Sequence, residues 1–319
     1  MLAVNRKVLA VLGPTASGKS ALGIALAERY GGEIINCDAT AVYRGFDIGT
    51  DKVAPHARKG VPHHLIDIAD PADVYTAAQF ARDAERAIRD IHARAKLPIL
   101  VGGTGFYYRA LTRGLFPGPG ADDALRARLD SIAIRRGPER LHRLLARVDP
   151  ASAARIMPRD RKRLVRALEV YFATGQPLTS HFARTRSLIE DCDVIAVALT
   201  LPAAEIAQRV ARRVDEQFAR GIVNEVRDLV SSGVSPHVRP FGGLVYRQVA
   251  EMLRGVRDEH ATRELIIREN RRYARRQLIW FRKEPNLMWF DGPGERPATQ
   301  KRVEDALAAC GLRTQGDGS

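Results

Sequence analysis

The stretch that decides the fold is KVLAVLGPTASGKSALGIALAERY, Lys7 to Tyr30. Lys7 to Leu12 is an apolar run with the length of a buried strand. Gly13-Pro14-Thr15-Ala16-Ser17-Gly18-Lys19-Ser20 then matches G-x-x-x-x-G-K-[ST]. A helical pattern runs from about Lys19 to Tyr30 and ends at Gly31-Gly32. A glycine-rich loop between strand and helix has a physical use. Its glycines let backbone N–H groups converge on a phosphate, and the helix N-terminus adds a positive dipole. Lys19 supplies a point charge, and the Ser20 hydroxyl can hold Mg²⁺. The loop implies a phosphate chain as ligand and does not say which one.

Outward from the loop, strands alternate with helices. Glu33 to Asn36 reads as a second strand ending at Asp38, and Pro98 to Val101 as a third that opens into Gly102-Gly103-Thr104-Gly105. A loop-rich stretch to about Ala72 and an amphipathic helix over Thr76 to Ala95 lie between them. This alternation predicts a mainly parallel sheet covered on both faces. The turn cluster Phe116 to Gly120 breaks the pattern, and Asp122 to about Thr174 carries helical periodicity alone. Strand character returns at Asp193 to Leu201. Helices are expected over Pro202 to Ser232, Tyr246 to Arg254 and Thr262 to Arg282, then a short strand at Leu287 to Phe290 and a loop over Asp291 to Pro297. Arg313 to Ser319 is expected to be disordered.

Lys and Arg number 51 against 37 Asp and Glu, so the net charge is 51 − 37 = +14, which suggests a polyanionic partner. A chain rich in Arg and Ala through genome composition would show the same excess. No run approaches the ~18 apolar residues of a membrane span. The amino-terminal residues lack the apolar core and small-residue cleavage site of a signal peptide. Cys37, Cys192 and Cys310 are odd in number and far apart, which fits a reducing cytoplasm and supports neither a disulfide framework nor a cysteine zinc site.

Candidate chemistry centres on Asp38, just past a strand's carboxyl end, where ligands of open α/β sheets sit. A carboxylate there can take a proton from a nucleophile; a loop-capping aspartate is the plainer alternative. Asp67, among Leu65, Ile66 and Ile68, reads as structural. The third strand ends in Gly102-Gly103-Thr104 where a motor ATPase would carry its second Mg²⁺-binding Asp, so helicases and motors are disfavoured. Two basic clusters stand out. Arg155, Arg159, Arg161, Lys162, Arg163 and Arg166 lie in the helical stretch. Arg271, Arg272, Arg275, Arg276, Arg282 and Lys283 lie near Tyr273, Trp280 and Phe281. They suit phosphates and unpaired bases, or else solvated helix faces with aromatics in the core.

The chain resembles the tRNA dimethylallyltransferase (tRNA isopentenyltransferase) family along nearly its whole length. GPTASGKS (13–20) and Asp38 with Val42 to Thr50 carry the resemblance, as do HHLIDI (63–68) and VGGTGFYYRAL (101–111). RKRLVRALEVYFATG (161–175), LVYRQV (244–249) and RRYARRQLIWFR (271–282) continue it in the family's order. The resemblance implies an α/β, P-loop NTPase-like core over 1–116 and 190–319, with a helical insertion over 117–189 that contacts tRNA. It implies transfer of a dimethylallyl group from dimethylallyl diphosphate to N6 of adenosine 37 in the tRNA anticodon stem-loop. The P-loop would hold the diphosphate with Mg²⁺ at Ser20. Asp38 would be the base, with Thr104 and Arg213 also catalytic. tRNA contacts would come from Asp38, Ala39, Thr40, Ala41, Thr104, Arg126, Arg161, Lys162, Arg163, Leu164, Val165, Gly242, Gly243, Tyr246, Arg247, Arg275, Arg276 and Arg282. Because the adenine must reach a buried allylic carbon, base flipping is expected. A cytoplasmic monomer is expected.

The chain departs from the family pattern at Ala39, usually Ser, and at Ala41, Val245 and Ile279. Ala39 and Ala41 would lie beside the flipped adenine and the anticodon bases. Three competing readings remain at this point: a small-molecule P-loop kinase, an RNA-binding protein without catalysis, and a prenyltransferase acting on free adenine nucleotides. The kinase leaves the basic carboxyl-terminal helix unexplained.

Overall fold

The computed structural model describes residues 6–116, 118–182 and 185–314. Six strands form one parallel sheet: β1 (Arg6–Leu12), β2 (Gly32–Asn36), β3 (His63–His64), β4 (Leu97–Gly102), β5 (Cys192–Thr200) and β6 (Leu287–Asp291). Their order is β3-β2-β4-β1-β5-β6. β1 is flanked by β4 and β5, with Leu12 level with Gly102 on one side and Ala198 on the other. Strands buried on both faces are mainly apolar, which is why the inner parts of β1 and β4 read as unbroken runs rather than alternations; β2 carries Glu33 and Asn36 near its ends.

The helices are α1 (Lys19–Tyr30), α2 (Ala77–Ala93), α3 (Gly105–Thr112), α4 (Asp123–Arg136), α5 (Pro138–Val148), α6 (Pro150–Arg155), α7 (Arg161–Thr174) and α8 (Leu178–Phe182). They continue with α9 (Ala203–Ala219), α10 (Ile222–Ser231), α11 (Tyr246–Leu253), α12 (Glu259–Phe281) and α13 (Pro297–Ala309). On one face of the sheet, Leu22, Leu26 and Tyr30 of α1 and Val303 and Leu307 of α13 pack with Leu9, Ile99 and Val197. The helix starts follow local chemistry. Thr76 and Gln79 form a capping box at α2, and Asp258 caps α12 by accepting from Ala261 N.

The carboxyl ends of β1, β2 and β4 lie side by side. A Cβ on Gly102 would stand 2.0 Å from the Cys37 carbonyl oxygen, so the β4 and β2 ends meet closely only because residue 102 has no side chain.

The structure differs from the sequence reading at several places. Asp291 ends β6, and Pro297, read as loop, opens α13. Proline at the first helical turn, with Val303 and Leu307 one turn apart, is the signal for that unread helix. α12 starts at Glu259, ahead of Thr262. Pro202 to Ser232 is two helices, broken at Gly221 (φ 92°). Of the tail expected to be disordered, residues 315–319 lie outside the described residues, as does Pro117 of the turn cluster. Among the described residues no helix is long and apolar enough to cross a membrane.

The chain divides into two compact units: Met1–Thr112 with Leu188–Ser319, and Arg113–Ser187. The second is helical and has its own core of Leu129, Leu141, Leu145, Leu164, Val165 and Leu168. Beside that core sits Glu169, fully buried. It pairs with Arg126 and Arg166 and accepts the Asp122 N–H at 2.9 Å. These partners hold its carboxyl below the usual range against the opposing effect of burial. Glu169→Gln removes the buried charge that two guanidiniums share, and we expect a loss of about 2 kcal/mol. Thermal unfolding would measure it, and hydrogen exchange should rise over α4 and α7 while the sheet stays protected.

Candidate active site

The sheet's carboxyl edge assembles the site. After β1 the chain turns through Gly13 (φ 144°), Ala16 (φ 63°) and Gly18 (φ 82°). A left-handed residue alternating with right-handed neighbours aims successive N–H groups into one hollow, the geometry of an anion nest. Ala16 takes that conformation without glycine's freedom, and its side chain is buried. Gly18 caps α1, so the nest and the helix N-terminus coincide.

Positive charge converges on the loop. Lys19 Nζ donates to the Pro14 carbonyl at 2.6 Å. Burial and the nearby Arg213 charge push the Lys19 ammonium down to about 7, with Asp38 opposing. Arg213, on α9, donates to Thr15 Oγ1 at 2.7 Å and pairs with Asp51 at 2.6 Å. Arg209, one turn earlier, donates to the Ala16 carbonyl at 2.6 Å and pairs with Glu295 at 2.6 Å. Burial raises the Asp51 carboxyl in spite of Arg213 and Arg220 beside it.

Asp38 follows the next strand. Its Oδ1 accepts from Thr40 N at 2.8 Å and Thr40 Oγ1 at 2.6 Å. Oδ1 is therefore fixed, and Oδ2 has no hydrogen bond among the described residues. Thr104 Oγ1 accepts from Ala39 N at 3.1 Å. Tyr273 lines both clefts around Asp38, and burial raises its pKa, with the Asp38 charge adding to the shift. Cys37, fully buried beside Asp38, is raised by burial for the same reason.

Two clefts meet here. One, of about 190 Å³, is lined by Thr15, Lys19, Ser20, Asp38, Gly103, Arg213 and Gln277. The other, of about 490 Å³, is lined by Thr40, Gly242, Gly243, Tyr246, Arg247 and Arg276. Thr15, Asp38, Asp51, Arg213 and Tyr273 belong to both. One route thus runs from a phosphate nest, past a carboxylate, into a wider opening.

Most of the expected site residues of this unit come together at this junction: residues 13–20, Asp38, Thr40, Ala41, Thr104, Arg213, Gly242, Gly243, Tyr246, Arg247 and Arg276. Some expectations need correction. Leu164 and Val165 are buried in the helical unit's core, so their side chains present no surface to an RNA. Tyr246 is also buried. Its hydroxyl donates to Glu225 at 2.5 Å and accepts from Gly49 N at 3.0 Å, so it shapes the cleft wall. Phe281 is core rather than a stacking surface, and Trp280 packs over Gly105 with the Arg109 guanidinium 4.2 Å from its ring. Arg126 is committed to Glu169. Arg161 and Arg163 pair with Asp130 and Asp160. Arg275 and Arg282 instead join Arg268, Arg271 and Arg272 around a separate cleft of about 780 Å³ beside α12. Sequence reading missed Asp51, Tyr273 and Gln277 as site residues. Gln277 stands one helical turn after Tyr273 and beside Arg276, a spacing that places it on the inner face of α12.

Over residues 41–284 the chain matches the family model described as IPP transferase. It belongs to the IPP transferase family. The tRNA dimethylallyltransferase of Geobacter sulfurreducens is 47% identical, across 90% of this chain and 92% of that one. The enzyme of the same name from Thermomicrobium roseum is 44% identical, across 95% and 92%. The crystal structure of the tRNA isopentenylpyrophosphate transferase of Bacillus halodurans superposes with a TM-score of 0.71 at 34% identity, covering 95% of this chain and 96% of that one. A eukaryotic dimethylallyltransferase captured acting on tRNA gives 0.77 at 26%, covering 98% and 81%. For a member of the IPP transferase family, a P-loop at the site needs no nucleotide triphosphate.

The state of Lys19 gives a pH signature. Its free-loop pKa is low, and a bound diphosphate would raise it again, so binding takes up a proton above about pH 7. Affinity for dimethylallyl diphosphate should be full below pH 7 and fall by up to about tenfold per unit above it. Calorimetry in buffers of different ionisation heat would show the uptake. Equal affinity at pH 7 and pH 9 would show that Lys19 takes up no proton on binding.

Proposed function

We propose that this chain transfers the dimethylallyl group of dimethylallyl diphosphate to N6 of adenosine 37 in tRNA, releasing diphosphate. The observation that carries the reading is Asp38. One carboxylate oxygen is tied down by Thr40 and the other is open, at the junction of a diphosphate-sized nest and a wider cleft. A kinase reading would use the nest equally well. It leaves the second cleft without a use, and the relatives favour the transferase.

In this reading the diphosphate lies on backbone N–H groups of the 13–20 loop other than that of Thr15, which Gln277 holds, with Lys19 and Arg213 on its oxygens. As the C1–O bond breaks, these groups stabilise the charge that builds on the leaving group. The N6 amine attacks C1, the N–C bond forms, and its proton passes to Asp38 Oδ2. The bond from Thr40 aims that oxygen. Thr104, held by Ala39 N, would contact the acceptor adenine. Buried Ala41 and the small Ala39 leave room beside the base where a larger side chain would intrude.

The residues fit a magnesium ion held mainly by its substrate. Ser20 presents an exposed hydroxyl at the head of α1, Asp38 lines the same cleft, and no group of three His, Cys, Asp or Glu stands ready among the described residues. Phosphate oxygens and water would complete the ion's shell. When bound, the ion would add positive charge against the leaving diphosphate.

The tRNA would be gripped by phosphate contacts. Arg271, Arg275 and Arg282 form no ion pair among the described residues, unlike Arg161 and Arg163. We assign the larger electrostatic share to α12 and a further contact to the helical unit.

Purified protein, Mg²⁺, labelled dimethylallyl diphosphate and an unmodified tRNA should put label in the RNA and none in AMP. Label in AMP would move the reading to a nucleotide prenyltransferase. Asp38→Ala should lower turnover about 10²–10⁴-fold while diphosphate binding survives. Equal loss of both would remove Asp38 as base. Changing Arg271 and Arg275 together to Gln should reduce the slope of log K against log salt by about 1.5. An unchanged slope would move the RNA footprint off α12.

A further inference from the structure

α12 reaches the catalytic loops through one side chain that no step of the reaction uses. Gln277 is almost fully buried. Its Oε1 accepts from Thr15 N, in the phosphate loop, at 2.8 Å. Its Nε2 donates to the Gly103 carbonyl, at the end of β4, at 2.9 Å. The amide therefore bridges the loop after β1 and the loop after β4. A Cβ on Gly103 would lie 2.3 Å from Gln277 Nε2, so the approach is close enough to require glycine there. Thr104 follows Gly103 directly, and its Oγ1 accepts from Ala39 N, next to Asp38.

We infer that Gln277 is a positioning residue that sets the register between the diphosphate loop and the acceptor-side loop. This rests on the assignment of residues 13–20 to diphosphate and of Asp38 and Thr104 to the adenine. The physical reason is that the two substrates are held by different loops, while the new bond needs C1 and N6 within about 3–3.5 Å and aligned. Nothing covalent joins the β1 and β4 loops, and backbone pairing along the strands ends at Leu12 and Gly102. Beyond that point the amide of Gln277 supplies the tie. A primary amide suits the task because it offers one acceptor and one donor on the same planar group. Thr15 N and Gly103 O need one of each.

Losing the tie should act on the chemical step more than on either substrate's binding. A displacement near 1 Å is enough to cost about 10²-fold in rate. In Gln277→Met, of similar length but without the amide, the single-turnover rate at saturation of both substrates should fall 10–100-fold. KM for each substrate should change by less than about threefold.

Gly103→Ala supplies the independent variant. Its methyl group displaces the Gln277 amide from the other side and leaves residue 277 intact. If both act through one bridge, the double variant is about as slow as the slower single one. If they act separately, the losses multiply. The experiment is single-turnover transfer of labelled dimethylallyl from its diphosphate to tRNA by wild type, both single variants and the double variant, each first shown to unfold cooperatively. Slow singles with a non-additive double support the proposal. An unaffected Gln277→Met, a loss confined to KM for dimethylallyl diphosphate, or multiplying losses would overturn it while leaving the functional reading intact. A wild type that binds diphosphate and labels no RNA would overturn that reading and this inference together.

Discussion

Everything at this site depends on where a diphosphate can be held. Two phosphates carry more negative charge than any single side chain can match, so a nest of backbone N–H groups, a helix dipole and cationic side chains must converge on one point. A parallel sheet makes that convergence simple. Its strands deliver their following loops to a common edge, and β1, at the centre, delivers the tightest one. The cationic side chains are drawn in by that loop's own carbonyls: Pro14 holds Lys19 and Ala16 holds Arg209. Burial, with the Arg213 charge beside it, lowers the Lys19 pKa.

The second half of the site answers the first. A carboxylate is a poor neighbour for a diphosphate unless something separates their duties. Asp51 neutralises part of the Arg213 charge, while Asp38 is turned by Thr40 so that one oxygen faces the cleft junction. Part of the wall of the larger opening has its polar groups already used, as Tyr246 does with Glu225 and Gly49. A wall of satisfied groups gives shape without competing for the incoming base.

The sheet and its loop were legible because their signals are local. An apolar run, a glycine pattern and a helix start lie within two dozen residues, and Asp38 stands where a strand ends. The helical stretch was legible for the same reason, from periodicity alone. What escaped depends on distance in the chain. Leu164 and Val165 sit among basic residues, and only the packing of α4 and α5 against α7 shows that they face inward. Tyr246 looks like a surface aromatic until Glu225 is placed beside it. Gln277 carries no charge, and the segment 271–282 around it gives it no role; its meaning comes from Thr15 and Gly103. α13 escaped for a different reason: its signals, Pro297 and two apolar residues, are real but weak.

The loop between β6 and α13 has a consequence for how the protein is made. Gly294 N donates to the Ser17 carbonyl at 2.9 Å, and a Cβ at Gly18 would run into the Glu295 carboxylate. The phosphate loop is thus buttressed by residues translated long after it, which follow β6 in the chain. On the ribosome the nascent chain would carry the whole G-x-x-x-x-G-K-S motif yet lack its supporting wall. Competence to hold substrate arrives late in synthesis, as one of the final events of maturation.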